Sequence, residues 1–244
     1  MSRSFLFVPA DSERKMEKAG GVEADALILD LEDSVAPDAR PAARQLAAEY
    51  LKGRDNVWVR VNPVDTEDFE ADIEAVMASQ PAGIMLPKPR HARDAVKLSE
   101  RIDVLENHHG IDHGQTRIIA LCTEHPEALL TLHSYVGMVP RLAGLSWGAE
   151  DLSAAVGAAT NRSTKGEWLP PYEMARSMCL FAAAAAEVAA IDTVFTDFRD
   201  DEGLLRYAAN ARRDGFSGML AIHPDQVEPI NAAFSPSAEE IEHA

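Results

Sequence analysis

A closed (β/α)₈ barrel, the TIM-barrel class, is the fold this sequence predicts, and three features predict it. Short apolar runs alternate with longer amphipathic ones from end to end, the pattern of βα units around a parallel sheet. About eight strand-like runs can be counted, each followed by a helix-like stretch. The length, 244 residues, is that of one α/β barrel. An open doubly wound sheet is the structural alternative, since closure is not visible in a sequence. No repeat of fixed period and no shift in composition divides the chain, so a single domain over residues 1–244 is expected.

The elements are read in order. The strands are Ser4 to Pro9, Ala26 to Leu31, Val57 to Asn62, Gly83 to Pro87, Arg117 to Thr123, Leu142 to Trp147, Thr193 to Asp197 and Gly218 to His223. Between them lie helices at Ser12 to Ala19, Pro41 to Leu51, Glu67 to Ser79, Ala92 to Leu105, Pro126 to Ser134, Tyr172 to Ala189, Asp201 to Asp214 and Pro224 to Phe234. Start signals support several of these: Asp11 or Ser12 before the first, Thr66 before the third, and Pro126 in a first turn. Asn107 to Gln115 reads as a polar loop. Its His108, His109 and His113 look like a metal cluster, but without Cys or carboxylate at ligand spacing they read as solvated side chains.

Composition narrows the function. The 14 Gly and 14 Pro are dispersed through a chain that is 46% hydrophobic, so no segment reads as a disordered tail. A net charge of −17 and a pI near 4.8 oppose non-specific binding to nucleic acid or anionic lipid. The same charge repels an anionic small substrate, so such a ligand requires a local Arg, Lys, backbone N–H or metal. Cys122 and Cys179 both sit in apolar surroundings and read as buried reduced thiols. There is no signal peptide and no apolar stretch of membrane-spanning length, so a cytoplasmic protein without a membrane partner is expected.

In a barrel of this kind the active site forms at the C-terminal ends of the strands. Here those ends are polar: Asp30-Leu31-Glu32-Asp33, Arg60-Val61-Asn62, Pro87-Lys88, Thr123-Glu124, Trp147-Gly148-Ala149-Glu150-Asp151 and His223-Pro224. One such ending is usually a solvated turn, whereas six on one rim point to a pocket. Glu124 and Asp151 could each give a hard cation one carboxylate, leaving the rest of a Mg²⁺ octahedron to water and substrate; alternatively they are helix N-caps. Arg60, in phase with Trp58 and Asn62, either binds a substrate carboxylate or forms a structural salt bridge to Asp30 or Glu32. Asp30 and Glu32, two apart on a strand, share a side and read as groups orienting Arg60, Lys88 or metal-bound water; a general-base role is the alternative. Gly148 and Ala149 are small where backbone must approach a ligand, with N–H groups of the next helix behind them.

With those residues in hand, the chain resembles the citrate lyase β-subunit and citramalyl-CoA lyase family, acyl-CoA lyases of the HpcH/HpaI aldolase superfamily. The resemblance rests on Phe5-Leu6-Phe7-Val8-Pro9, Leu29-Asp30-Leu31-Glu32-Asp33-Ser34-Val35 with Ala43-Arg44, Arg60-Val61-Asn62, Leu86-Pro87-Lys88, Thr123-Glu124, Trp147-Gly148-Ala149-Glu150-Asp151-Leu152, Asp197-Phe198-Arg199-Asp200 and Ala221-Ile222-His223-Pro224-Asp225-Gln226. It implies Mg²⁺ on Glu124 and Asp151, Arg60 and Glu124 against the acid part of the substrate, and a homo-oligomer, often a trimer. The implied reaction is cleavage of a β-hydroxyacyl thioester to an acyl-CoA and an α-keto acid, with backbone N–H groups near Gly148 and Ala149 completing the oxyanion contacts.

Two departures from the family pattern stand out. His125 follows Glu124 where a small residue is common, and the chain ends at Ala244, so the family's C-terminal extension past Phe234-Ser235-Pro236-Ser237 is expected to be absent. Two competing readings follow: a non-catalytic or partner-dependent subunit, and an aldolase acting on a free hydroxy-keto acid without CoA.

Overall fold

The computed structural model describes residues 2–236; the expectation about the chain's end beyond Pro236 lies outside them. Eight parallel strands close on themselves in sequence order. They are β1 Ser4–Pro9, β2 Ala26–Asp30, β3 Val57–Arg60, β4 Gly83–Leu86, β5 Arg117–Leu121, β6 Leu142–Ser146, β7 Ala189–Asp192 and β8 Gly218–Ala221. Closure is direct: Ser4, Phe5 and Leu6 of β1 register with Met219, Leu220 and Ala221 of β8. The barrel is the predicted class, and the open sheet is excluded.

Around it run α1 Glu13–Ala19, α2 Arg40–Leu51, α3 Glu67–Met77, α4 Ala92–His109, α5 Pro126–Leu130, α6 Ala149–Ala155, α7 Pro170–Ala185, α8 Asp201–Asp214 and α9 Val227–Phe234. Ser12 caps α1 by accepting from the Lys15 N–H, and Asp200 caps α8 by accepting from Gly203. No helix among the described residues is long and apolar enough to cross a membrane.

Strand alternation separates two apolar layers. Leu6, Val8, Leu27 and Leu29 face the helices. Phe5, Ile28, Trp58, Met85, Ile119, Leu121 and Leu220 fill the barrel's interior. Gly83 is glycine because a Cβ there would lie 2.2 Å from the Trp58 ring. Asp30 and Arg60 continue the interior phase and are register partners, so the barrel packing itself brings that acid and base to the mouth.

Several sequence expectations are corrected, among them the start of the polar loop, since α4 runs through His109 and takes in Asn107 and His108. The seventh strand is Ala189–Asp192, not Thr193 to Asp197, and α7 stops at Ala185, not Ala189. The alanine run 182–186 carried the helical reading too far, and the β-rich Thr193-Val194-Phe195 segment that follows is a loop on the rim. The reading Pro126 to Ser134 divides into α5 and a 3₁₀ turn, Leu132–Tyr135. Finally, α6 is a separate helix between β6 and α7.

Of the three histidines read as loop, His113 meets carboxylates that sequence spacing did not show, those of Asp103 and Glu106. However, the buried Arg141 guanidinium bonds both carboxylates, with its Nη2 3.3 Å from His113 Nδ1, so the cation for those acids is already an arginine. Cys122 and Cys179 are free and buried, with sulfurs 3.7 Å apart.

Candidate active site

A cavity of about 420 Å³ opens at the C-terminal mouth of the barrel. Arg60, Glu124, Asp151, Gly148, Ala149 and Asp30 all line it, together with Phe7, Asp33, Ser34, Trp147, Glu150 and an apolar floor that includes Leu121 and Leu220. Asp30, Asp33, Glu124, Glu150 and Asp151 set five carboxylates against one guanidinium on its wall.

Arg60 is held from beneath. Its Nε and Nη2 each donate to Asp30 at 2.7 Å, its Nη1 lies 3.1 Å from Glu32, and its guanidinium packs 4.7 Å over the Phe7 ring. The Nη1 contact is an ion pair and not an aligned hydrogen bond, since Glu32 Oε2 has no bonded donor. The salt-bridge reading of Arg60 therefore holds, and the residue still faces the cavity. Burial alone would raise the Asp30 carboxyl, but Arg60 together with the Ser34 side chain and the N–H of Glu32 takes it below its ordinary range. Burial pushes Glu32 upward against the pull of Arg60 and Lys88.

Lys88 ties the remaining acids together. Its backbone N–H donates to Glu124 Oε2 at 2.6 Å, while its Nζ lies 2.5 Å from Glu32, 3.1 Å from Asp33 and 3.4 Å from Asp151. The residue pays for this reach with a left-handed backbone, φ 52°, costly for a side chain other than glycine. Burial opposes its charge, but Glu32, Asp151 and Glu124 hold the ammonium well above its usual range.

Glu124 is 3% exposed. Its burial, and next the nearby charge of Asp151, raise its carboxyl well above the ordinary value. Gly148 makes room for it, because a Cβ there would sit 2.9 Å from Glu124 Cγ and 3.1 Å from Oε1. This revises the reading of Gly148. Its N–H donates to Thr123 Oγ1 at 3.1 Å and is not spare for a ligand. Below it, Trp147 is fully buried and donates from Nε1 to Asp192 at 2.6 Å. Asp192 also accepts from the Arg176 guanidinium and from Tyr207.

Hard oxygen donors in acid excess fit a divalent cation. Glu124 and Asp151, which both line the cavity and are both contacted by Lys88, are the residues that would hold it.

Of the six predicted rim endings four line the cavity; Lys88 and Glu32 do not line it, His223 and Pro224 line a second groove, and sequence reasoning missed several neighbours. Asp192 was hidden in a misplaced strand. Arg14, Lys15 and Lys18 of α1 line this second groove of about 420 Å³, which shares Phe7, Pro9 and Ile222 with the first. The available signal was three cations within one short helix of a strongly acidic chain, just after a strand end.

The fold and site together define an acid-rimmed (β/α)₈ barrel with its chemistry at the C-terminal mouth. Residues 3–224 match the model of the HpcH/HpaI aldolase/citrate lyase family, and the chain belongs to that family. Among relatives, a (3S)-malyl-CoA thioesterase of Cereibacter sphaeroides (strain KD131) is 35% identical, over 99% of this chain and 80% of its own length. A solved citrate lyase β subunit from M. tuberculosis, complexed with oxaloacetate and magnesium, superposes with a TM-score of 0.83 at 31% identity, covering 96% of this chain and 97% of that one. The protein CitE from Mycobacterium tuberculosis in complex with magnesium, acetoacetate and coenzyme A gives 0.83 at 30% identity, covering 99% and 84%.

Proposed function

We propose that this chain is a Mg²⁺-dependent carbon–carbon lyase that cleaves a β-hydroxyacyl-CoA to an acyl-CoA and an α-keto acid. The observation that carries the reading is Lys88. One residue bonds Glu124 through its N–H and approaches Asp151 through its Nζ, so two carboxylates from different strand ends converge beside Arg60. Held by Glu124 and Asp151, Mg²⁺ would supply Lewis-acid stabilisation of the oxygen that becomes the keto group.

The chain's own residues do the rest. Arg60, locked by Asp30 and packed over the Phe7 face, holds the substrate's carboxylate with its remaining donors, and that bidentate lock costs no reorganisation when the ligand arrives. Asp30 and Glu32 orient the two cations. The first-turn N–H groups of α6, that of Ala149 first among them, are offered to a substrate oxygen, because that of Gly148 is engaged. The buried Trp147 and apolar floor keep water from the reacting carbons. In the reaction the substrate's hydroxyl loses its proton, the carbon–carbon bond breaks with its electron pair going to the thioester enolate, and the carbon α to the thioester carbonyl takes up a proton to give the acyl-CoA.

The groove carrying Arg14, Lys15 and Lys18 supports a CoA thioester. None of the three forms an ion pair among the described residues, and they sit where a pyrophosphate arm would leave the cavity. The relative solved with magnesium and coenzyme A supports the same reading. A homotrimer is proposed with it, supported by apolar side chains on the outer face of α7, Met174 and Phe181, 56% and 68% exposed. A three-chain mass by light scattering is the expected result.

The test is product analysis with malyl- and citramalyl-CoA by the isolated chain. Mg²⁺-dependent release of acetyl-CoA with glyoxylate or pyruvate, abolished by EDTA, is expected. Release of free CoA with the hydroxy diacid instead would identify thioester hydrolysis, the activity named for the Cereibacter relative. No turnover without an added protein would identify a dependent subunit.

A further inference from the structure

We infer that this site selects substrates whose α-keto acid product carries one carboxylate, the glyoxylate and pyruvate class, over those yielding a second carboxylate, the oxaloacetate class; the inference rests on the lyase reading above. The argument is a count of cations. Five carboxylates line the cavity and Arg60 is its only lining cation among the described residues. A divalent ion between Glu124 and Asp151 still leaves that wall negative, so each added anionic group must find its own positive partner.

Arg60 can serve one. Two of its donors are bonded to Asp30 and a third faces Glu32, so its remaining capacity matches a single carboxylate. Lys88 cannot serve a second, since its Nζ is held among Glu32, Asp33 and Asp151 and does not line the cavity. The rest of the wall offers Leu121 and Leu220, 4% and 2% exposed, with Val194 and Ile222 above them. The hydroxyls of Ser34 and Thr193 are neutral donors there and do not offset a full charge. A second carboxylate therefore meets either an apolar wall or other carboxylates, whereas the hydrogen of glyoxylate or the methyl of pyruvate fits the apolar wall.

The experiment compares the Mg²⁺-loaded chain on malyl-, citramalyl- and citryl-CoA, and in parallel measures calorimetric affinity for glyoxylate, pyruvate and oxaloacetate. Malyl- or citramalyl-CoA should be favoured by about 100-fold in kcat/KM, with oxaloacetate the weakest ligand. Val194→Arg, a half-buried rim position, should raise the oxaloacetate-to-pyruvate affinity ratio about tenfold. Equal or better use of citryl-CoA, or oxaloacetate binding as tightly as pyruvate, would overturn the inference while leaving the lyase reading intact. If no thioester is cleaved, the lyase reading fails and the calorimetric order alone decides the preference: monocarboxylates tighter supports it, the reverse order overturns it.

Discussion

At the scale of single residues, the site depends on how closely Glu124 can be approached. Gly148 leaves the space that Glu124 Cγ and Oε1 occupy, and Lys88 fixes the other oxygen from its strained backbone. Gly148→Ala should therefore turn the carboxylate away and weaken Mg²⁺ about 10- to 100-fold without unfolding the barrel, as calorimetry and a thermal melt would show together. An unchanged affinity would mean the side chain has room elsewhere. Glu124, Asp151 and Arg60 were legible in the sequence because each closes a recognisable apolar run. Lys88 was legible as a rim cation, but not as the donor that orients Glu124, since neither a positive φ nor a backbone hydrogen bond leaves a mark on residue identity. The same limit explains Gly148, whose smallness was read as space for a ligand and serves instead as space for a side chain.

Among the elements, β7 carries the clearest lesson. Its Asp192 gathers Trp147 Nε1, the Arg176 guanidinium, Tyr207 Oη and the Thr193 N–H, and so ties the β6 end that precedes Gly148 to α7 and α8. Asp192→Ala should cost about 3–5 kcal/mol of stability, because a guanidinium and an indole N–H would lose their buried acceptor; denaturant melts of the two proteins check it. A loss under 1 kcal/mol would mean water replaces the carboxylate. This strand was misplaced by four residues because its Ala189-Ala190 start is indistinguishable from the alanine-rich helix before it, and only pairing with β6 and β8 resolves the boundary. By contrast the other seven strands were found at their starts, since each is a short apolar run set off by polar or turn residues before it. The separate α6 escaped a place of its own because its seven residues are too few to show a helical period.

For the whole molecule, the eight strand-like runs favoured a closed barrel over an open sheet, and the pairing of β1 with β8 supplies the closure that a sequence does not show; the groove of α1 was not legible, since only the closed barrel brings α1 beside the β8 end. The charge has a further consequence. Burial and Asp151 raise the Glu124 carboxyl above its ordinary 4.5, so the folded chain keeps a proton that the unfolded chain has released. That contribution to metal-free stability is complete below the unfolded value and is lost as pH rises through the folded one. Mg²⁺ binds the ionised carboxylate and reverses the loss. The gap in Tm between Mg²⁺-saturated and EDTA-treated protein should accordingly widen as pH rises above the ordinary glutamate value; a constant gap would place the proton elsewhere.

The most direct test of the central claim is titration calorimetry of Mg²⁺ into the wild-type chain, Glu124→Gln and Asp151→Asn. Two carboxylates sharing one ion predict a single site per chain, proton release on binding, and loss of affinity by at least about 100-fold in either variant. Wild-type affinity in one of the variants would contradict a shared metal between the fifth and sixth strand ends, and the lyase chemistry assigned to this barrel would fall with it.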